Sequence, residues 1–493
     1  MSAAGGTSAA GGSRASGASS ASASGAPVGG LTRERRVLII AILASFVAFL
    51  DGSIVNVALP SIDRDLGGGL ATQQWVVDAY LLTLGALILL AGSLSDAFGR
   101  VRVMSVGLVG FGVTSVLCAI APTAEILIGA RAAQGAAGAL LVPSSLALII
   151  STFHGVPQAK AIGSWTAWTG TAMIIGPLLG GFLIDTVSWR LIFAINVLPI
   201  AFTLVLLHRL RGAGRPEHPA RIDWVGAVLG ALGLAGPVFA LIEQGRLGWS
   251  SPVVWIPLVL GLACLAAFIA WERRAPAPMM PLGLFGSRNF SAGNIATLFI
   301  YGALSFGFFI VAIYLQQVAG VSAFLTGLSL MPPTLVMLFL SSRFGALSGR
   351  FGPRLFMTVG PLVAGAGFLW LISVSPELNY WTQILPGLLL FGLGLSATVA
   401  PLTSAILGAI ADAQAGIGSA VNNAVSRIAG LITIACASLI IGESLDLDGL
   451  HRAMIATAAM LVLGGLVSWF GIRNPRAAAA DASRADNGAA PVG

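Results

Sequence analysis

The sequence predicts an all-α polytopic membrane protein, with two six-helix bundles and two extra membrane spans between them. Three observations support this class: the composition, the recurrence of long apolar runs, and an internal repeat. The 493 residues are 56% hydrophobic and 9% charged, whereas a soluble domain is about 25% charged. A chain with so few charges cannot cover a water-facing surface, so we expect most of it to lie in a bilayer.

Apolar runs of about 20 residues, the length of a helix that crosses the hydrocarbon core, recur along the chain. We predict fourteen spans, roughly at 37–58, 72–92, 102–121, 125–150, 162–184, 190–207, 224–243, 252–271, 291–317, 324–343, 354–374, 380–406, 415–441 and 453–472. The predicted organisation is a disordered Ala/Gly/Ser-rich tail at 1–36, a first bundle at 37–207, a linker with two extra spans at 208–290, a second bundle at 291–472 and a tail at 473–493.

The distribution of lysine and arginine predicts the orientation. With the N-terminus inside, twenty of the 26 basic residues fall in the tails and loops of the cytoplasmic side, and four fall outside. Because basic residues concentrate on the cytoplasmic side, both termini are expected there.

The composition also limits the function classes. Cys118, Cys264 and Cys436 lie in apolar runs and are expected to be core residues. The four histidines have no metal-ligand spacing, so no metal site is expected. No nucleotide-binding G-x-x-x-x-G-K-[ST] loop is present, and Lys160 is the only lysine. Neither an enzyme site nor the ring of equivalent filter residues that a channel needs is visible, and energy must come from an ion gradient rather than a cofactor.

The internal repeat joins the two predicted bundles. GSLSDAFGRVRVM at 92–104 and GALSGRFGPRLFM at 345–357 align without a gap, and each follows the second span of its half. Two six-span halves related by an axis along the membrane normal form a transporter architecture.

Four motifs lie on successive spans in a fixed order: LDGSIVNVALP at 50–60, GSLSDAFGR at 92–100, RAAQGAAGALLVP at 131–143 and GTAMIIGPLLGG at 170–181. The second and third resemble the loop and fourth-span motifs of the major facilitator superfamily. The first resembles the first-span signature of its fourteen-span drug:proton antiporter family. The last resembles the fifth-span motif of exporters that exchange substrate for protons. The resemblance covers about residues 37–472.

The resemblance implies the major facilitator fold and a proton-coupled exporter of small amphipathic or hydrophobic molecules, such as drugs or secondary metabolites, in the cell membrane. The implied partners are a small-molecule substrate, protons and lipid. No nucleic acid is expected to bind, and a monomer is expected. An uptake permease of the same fold stays open as the alternative, since only GPLLGG argues against it.

Two of the motifs are expected to act in conformational change. Glycines there permit close helix approach and tight turns, Pro177 breaks the backbone ladder, and charges in the loop are spaced to interact. In the family the aspartate at position 96 engages the start of span 13. The residues assigned to this role are Gly92, Asp96, Gly99, Arg100, Gly176, Pro177, Gly180 and Gly181.

Three charges fall inside the first bundle. Helical rise places Asp51, Asp78 and Arg131 at one level, about 9 Å below the outer surface. Buried charges at such depth face a cavity or one another. Two carboxylates against one guanidinium leave a surplus negative charge that protonation relieves, so Asp51 is the expected proton site. A purely structural ion pair remains the alternative.

Other polar and aromatic residues within spans are candidates for substrate binding, because polar groups fix orientation and indole rings offer stacking surfaces. They are Asn56, Gln74, Gln134, Trp165, Trp168, Asn422 and Asn423. Such polar residues also form hydrogen bonds that hold neighbouring helices together. Some family members that export dications have acidic residues in the span at 415–441, but this sequence has Arg427 there. Transport of dications is therefore not expected.

Overall fold

The computed structural model describes residues 32–210, 222–411, 414–442 and 445–474. The predicted tails and the 208–223 loop lie largely outside these residues. The first bundle contains α1 (Arg33–Leu66), α2 (Gly69–Phe98), α3 (Arg100–Ala119), α4 (Ala124–Ala139), α5 (Leu141–Thr152), α6 (Val156–Thr186), α7 (Leu191–Ala194) and α8 (Val197–His208). The extra spans are α9 (Trp224–Leu247) and α10 (Pro252–Glu272). The second bundle contains α11 (Arg288–Gln317), α12 (Ala323–Ser329), α13 (Pro332–Phe351), α14 (Pro353–Trp370), α15 (Leu385–Leu407), α16 (Ala415–Ala435), α17 (Ala437–Ile441) and α18 (Leu447–Gly471).

The helices agree closely with the predicted spans. In the described residues, 13 helical segments are long and apolar enough to cross a membrane, and several of them join two helices, as α4 and α5 do over Ala124–Thr152. The fourteenth predicted span, at 415–441, is also helical and forms α16 and α17. It is less apolar than the others because Asn422, Asn423 and Arg427 lie within it.

The internal repeat is visible in the turns and in the packing. Gly99 ends α2 with φ 91° and Gly352 ends α13 with φ 85°, a conformation that glycine adopts without strain. In the first bundle α1 packs against α6, α2 against α4 and α3 against α4. The equivalent contacts of the second bundle join α11 to α16, α13 to α15 and α14 to α15. The two bundles are therefore two copies of one arrangement.

The extra spans form a hairpin on the outside of the bundles. Helices α9 and α10 pack tightly on each other, with Gly236 of one against Gly261 of the other. Helix α9 also contacts α2, α16 and α17, whereas the apolar surface of α10 is largely exposed. We expect lipid to cover α10.

The two bundles meet at one end, which we call the closed end. It contains the C-terminal ends of α1, α6 and α11, the N-terminal ends of α2 and α12, and the α16–α17 junction. Helix α2 packs there on α16, and α6 packs on α12. On α2, Gly85 touches Arg427, whereas a β-carbon added at Gly92, two turns further on, would meet no atom within 4 Å. The interface therefore ends near the middle of the bundles, which separate toward the opposite, open end.

Candidate functional site

The core of the first bundle contains a buried ion pair within a polar cluster. The Arg131 guanidinium lies 2.5 Å from the Asp51 carboxylate, and both side chains are 0% exposed. Gln134 donates to the other carboxylate oxygen of Asp51 at 3.0 Å, and Asn196 donates to that oxygen at 2.9 Å. Gln134 also donates to the Ser115 hydroxyl at 2.9 Å. Helices α1, α3 and α4 and the α7–α8 turn each supply part of this cluster.

The guanidinium of Arg131 is held on its other sides as well. Its Nε donates to the Val76 carbonyl at 3.0 Å, and its Cζ lies 4.3 Å from the centre of the Tyr80 ring and 5.6 Å from that of Phe193. Helices α2 and α4 can approach closely because Gly135 has no side chain. A β-carbon at this position would collide with the Tyr80 carbonyl. The glycines of RAAQGAAGALLVP thus position the arginine that begins the motif.

The geometry of this cluster suits an ionised Asp51. A carboxylate accepts but cannot donate, and Asp51 accepts hydrogen bonds from Arg131, Gln134 and Asn196. Each charge of the pair neutralises the other, so this arrangement fits the structural alternative. Sequence reasoning predicted the pair but missed Asn196 and Ser115. The location of Asn196 in the otherwise apolar segment IFAINVLP was the available signal.

Asp78 lies apart from this cluster, contrary to the expected three-charge group. Its carboxylate is 0% exposed, and neither of its oxygens has a hydrogen-bond partner in the described residues. Residues on a helix are about 100° apart, so Asp78 lies about 200° from Tyr80, which faces Arg131. It shares a face of α2 with Gln74 and Gly85, and that face packs on the second bundle. Asp78 is therefore a buried, unpaired carboxyl group at the interface between the bundles.

Glutamine side chains join the two bundles at the closed end. Gln74 of α2 donates to the carbonyls of Ile434 at 2.6 Å and Ala435 at 3.1 Å, at the end of α16. Gln316 of α11 donates to the Val57 carbonyl of α1 at 3.0 Å. All side-chain hydrogen bonds between the two bundles, over the described ranges, lie at this end.

Asp185 binds the start of a helix in the other bundle. Its two carboxylate oxygens accept from the backbone N–H groups of Ala323 at 3.1 Å and Phe324 at 2.9 Å. These groups begin α12 and have no partner within their own helix, and the N-terminus of a helix attracts negative charge. Asp185 thus holds α6 to α12. Sequence reasoning missed Asp185 because a charged residue just after a predicted span is common and has no distinctive pattern.

The glycines of GPLLGG serve two contacts. A β-carbon at Gly176 or Gly180 would collide with Ser53 or Ile54 of α1, in the same bundle. A β-carbon at Gly181 would lie 2.5 Å from the Cα of Phe324 and 2.6 Å from the Ala323 carbonyl oxygen of α12.

Pro177 completes the second of these contacts. Its carbonyl faces Gly327 of α12 so closely that a β-carbon at Gly327 would collide with it. The motif therefore packs on α1 within its own bundle and also forms the contact of α6 with α12 at the closed end.

The motif GSLSDAFGR lies at the open end. The Asp96 carboxylate is 61% exposed and lies 3.8 Å from Arg100, which also donates to the Ala147 carbonyl at 2.9 Å. The described contacts of Asp96 do not include α16, the helix that the family resemblance assigns to it. This placement matches the separation of the bundles at this end.

The predicted substrate residues divide into two groups. Gln74 lies in the closed-end interface and Gln134 in the charged cluster, both buried. Asn422 donates to Thr297 and Asn294 and so joins α16 to α11. These three side chains therefore bind protein groups in this conformation. The other four, like Asn422, keep some exposed surface, and Asn423 also donates to the Ser419 carbonyl of its own helix at 3.1 Å. They are Asn56, Trp165, Trp168 and Asn423.

The second group keeps aromatic and polar surface exposed in the described structure. Trp168 is 57% exposed, and Trp165 donates to the Ser45 hydroxyl at 3.0 Å, which fixes its ring beside α1.

Two repeated bundles, closed against each other at one end and apart at the other, define a membrane transporter of the two-bundle type. The comparison with known families agrees. Residues 41–434 match the family model described as Major Facilitator Superfamily, and the chain belongs to that family.

Relatives and solved structures of similar length support this assignment. The puromycin resistance protein pur8 of Streptomyces alboniger is 36% identical over 81% of this chain and 80% of its own. The methylenomycin A resistance protein of Streptomyces coelicolor is 33% identical over 89% and 93%, respectively. The crystal structure of the peptide transporter POT in complex with sulfate has a TM-score of 0.65 at 16% identity, covering 88% of this chain and 93% of that chain. At that identity the last comparison supports the fold alone.

Proposed function

We propose that the protein is a proton-coupled exporter of small amphipathic molecules that works by alternating access. Relatives that align over most of their length are named for resistance to puromycin and methylenomycin A, and export is the direct way for a membrane transporter to give resistance. The observation that carries the mechanism is the one-ended interface between the bundles. Such an interface blocks access from one side and leaves the other side accessible.

The distribution of basic residues supports assigning the closed end to the outside. Arg100, Arg350 and Arg354 lie in the terminal turns of helices at or near the open end, the side that the positive-inside rule places in the cytoplasm. On this assignment the described conformation faces inward, ready to take substrate from the cytoplasm. Opening to the outside then requires α12 to leave Asp185 and α16 to leave Gln74.

We further propose that Asp78, rather than Asp51, carries the coupling proton. Asp51 already has a guanidinium and two amide donors, whereas Asp78 has no partner among the described residues and lies where the bundles meet. Burying an unpaired carboxylate costs several kcal/mol, so the closed interface accommodates the neutral acid. Proton binding from outside therefore favours closing this end, and release of the proton toward the open, cytoplasmic side favours opening it. That alternation is what exchange of substrate for protons requires.

The proposal is tested by energised efflux from an efflux-deficient bacterial host. Cells that express the protein should tolerate puromycin, methylenomycin A or another inhibitor from a chemically diverse panel. They should also lose accumulated compound at a rate that a protonophore abolishes. The Gly170→Ala variant is the control, since the added methyl group meets no atom within 4 Å. If expressing cells accumulate a panel compound above the level of non-expressing cells, the direction is import and the proposal is wrong.

A further inference from the structure

Arg427 is a charge in the middle of the membrane that the mechanism above does not use. It lies on α16 at the point where the interface between the bundles ends. Its β-carbon packs near Gly85 of α2, and its guanidinium carbon lies 5.5 Å from the centre of the Phe49 ring of α1. The side chain is only half-buried. Its guanidinium therefore lies among α1, α2 and α16, where the interface between the bundles ends.

In the described residues, the Arg427 guanidinium makes no ion pair and no hydrogen bond. Its one cation–π contact there is with the ring of Phe49. A charge at such depth costs about 2.5–3.5 kcal/mol even on insertion scales. It is tolerated where it reaches water or a partner. A partly exposed guanidinium with no hydrogen-bond or ion-pair partner among the described residues is therefore available to bind a ligand between the bundles.

The remaining charges of the membrane interior favour a negative ligand. Asp51 is neutralised by Arg131 and both are fully buried, and Asp78 is enclosed in the closed-end interface. The predicted spans of the second bundle contain no Asp or Glu. A cationic ligand between the bundles at this depth would thus meet Arg427 and no accessible carboxylate.

We propose that Arg427 forms the recognition subsite for an anionic group on an amphipathic substrate. This inference rests on the proposed export function and names its substrate class. A guanidinium presents five donors in a planar fork that matches a carboxylate, phosphonate or sulfonate. Phe49 and the indole of Trp165, held beside α1 by Ser45, provide apolar surface for the rest of the molecule.

Binding of two xanthene dyes to the purified full-length protein tests the subsite. Fluorescein is anionic and rhodamine 123 is a cation of similar size and shape, and fluorescence anisotropy reports the binding of each. We expect the parental protein to bind fluorescein more tightly than rhodamine 123. Arg427→Gln should weaken fluorescein binding roughly 10- to 100-fold, the range for losing a hydrogen bond to a charged group, and should leave rhodamine 123 binding unchanged or stronger.

Two further variants separate charge from fold. Arg427→Lys keeps the charge without the fork and should retain part of the fluorescein affinity. Arg350→Gln removes an exposed arginine from the open end and should leave both affinities near parental. A purely structural role for Arg427 would change both dyes alike in Arg427→Gln.

The proposal is overturned if the parental protein prefers rhodamine 123, if it fails to bind fluorescein up to the dye's solubility limit, or if Arg427→Gln affects both dyes equally. The results distinguish failure of the anionic subsite from failure of the proposed export function. Uphill efflux of rhodamine 123 without fluorescein binding would reject the anionic subsite and keep export. Arg427-dependent fluorescein binding by a protein that exports nothing would support the subsite and count against the proposed function.

Discussion

Replacing Gly181 by alanine should prevent the closed end from closing. The added β-carbon would lie 2.5 Å from the Cα of Phe324 and 2.6 Å from the Ala323 carbonyl oxygen, whereas ordinary contacts begin at 3.4 Å. Both atoms belong to the backbone of the other bundle, so no flexible side chain can move aside. Helix α12 must therefore shift by close to 1 Å, a distance comparable to the overlap.

Overpacking of this kind costs about 1–3 kcal/mol. The clash exists only where α6 and α12 are in contact, so the cost applies to the closed form and not to the form that is open at this end. Each 1.4 kcal/mol changes an equilibrium constant tenfold, so the ratio of closed to open molecules should fall roughly 5- to 150-fold. The variant should fold, but it should accumulate in the form open to the outside.

Spin-label distances measure this shift directly. Labels at Val187 and Trp381, exposed residues at the closed end of the first and second bundles, should show a longer distance in Gly181→Ala than in the parental protein. The native cysteines would be replaced in both. Gly170→Ala on the same helix is the matched control and should leave the distances unchanged, because its methyl group meets open space. If Gly181→Ala shows the parental distance distribution and the parental rate of transport, the assigned packing of GPLLGG on α12 is wrong.

Three further predictions concern the Asp185 contact, the buried ion pair and the orientation of the chain. Asp185→Ala should lengthen the distance between the labels at Val187 and Trp381, because it removes the acceptor for the α12 backbone. Asp185→Asn keeps one acceptor oxygen and should have a smaller effect. Parental distances in both variants would show that Asp185 does not hold α6 to α12. Asp51→Asn should strand Arg131 as a buried unpaired charge and cost about 3–5 kcal/mol, seen as a lower melting temperature that Asp51→Asn/Arg131→Gln partly restores. A normally stable Asp51→Asn that loses only coupling would instead identify Asp51 as the proton site. Single cysteines at Gly12, Gly212 and Gly488 should resist a membrane-impermeant thiol reagent in intact cells, and labelling of any of them would overturn the orientation.

Hydropathy and charge were sufficient to predict the helices, because a bilayer imposes their length and composition more strictly than water does. The span at 415–441 has a lower hydropathy because Asn422, Asn423 and Arg427 lie within it, and its helix α16 packs between α2 and α11. The repeat predicted the pairing of the bundles, since one sequence pattern at equivalent positions gives equivalent contacts.

Helical rise predicts the depth of a residue along a helix, whereas the partner of its side chain depends on the face of the helix on which it lies. Helical rise predicts Asp51 and Arg131 at one level, and the two side chains form a pair. Asp78 was placed at the same level, but its position on α2 turns it toward α16 instead. The 3.6-residue period could have shown this, because Gln74, Asp78 and Gly85 lie on one face.

Contacts between the bundles had no local signature. The cap that Asp185 makes on α12 joins residues about 140 positions apart, and no spacing rule relates them. Gln74 was read as a substrate residue because a polar side chain in a span has several uses, and only the tertiary structure shows that it binds backbone carbonyls of α16.

We infer that a proton on Asp78 drives export, and transport into inverted membrane vesicles tests this inference. With an acidic interior, vesicles that contain the parental protein should accumulate a compound identified in the efflux panel, and a protonophore should abolish the accumulation. Asp78→Asn keeps the shape of the side chain but cannot lose a proton. It should therefore abolish gradient-driven accumulation and retain exchange of labelled for unlabelled compound. Accumulation by Asp78→Asn vesicles at the parental rate would show that Asp78 does not carry the coupling proton.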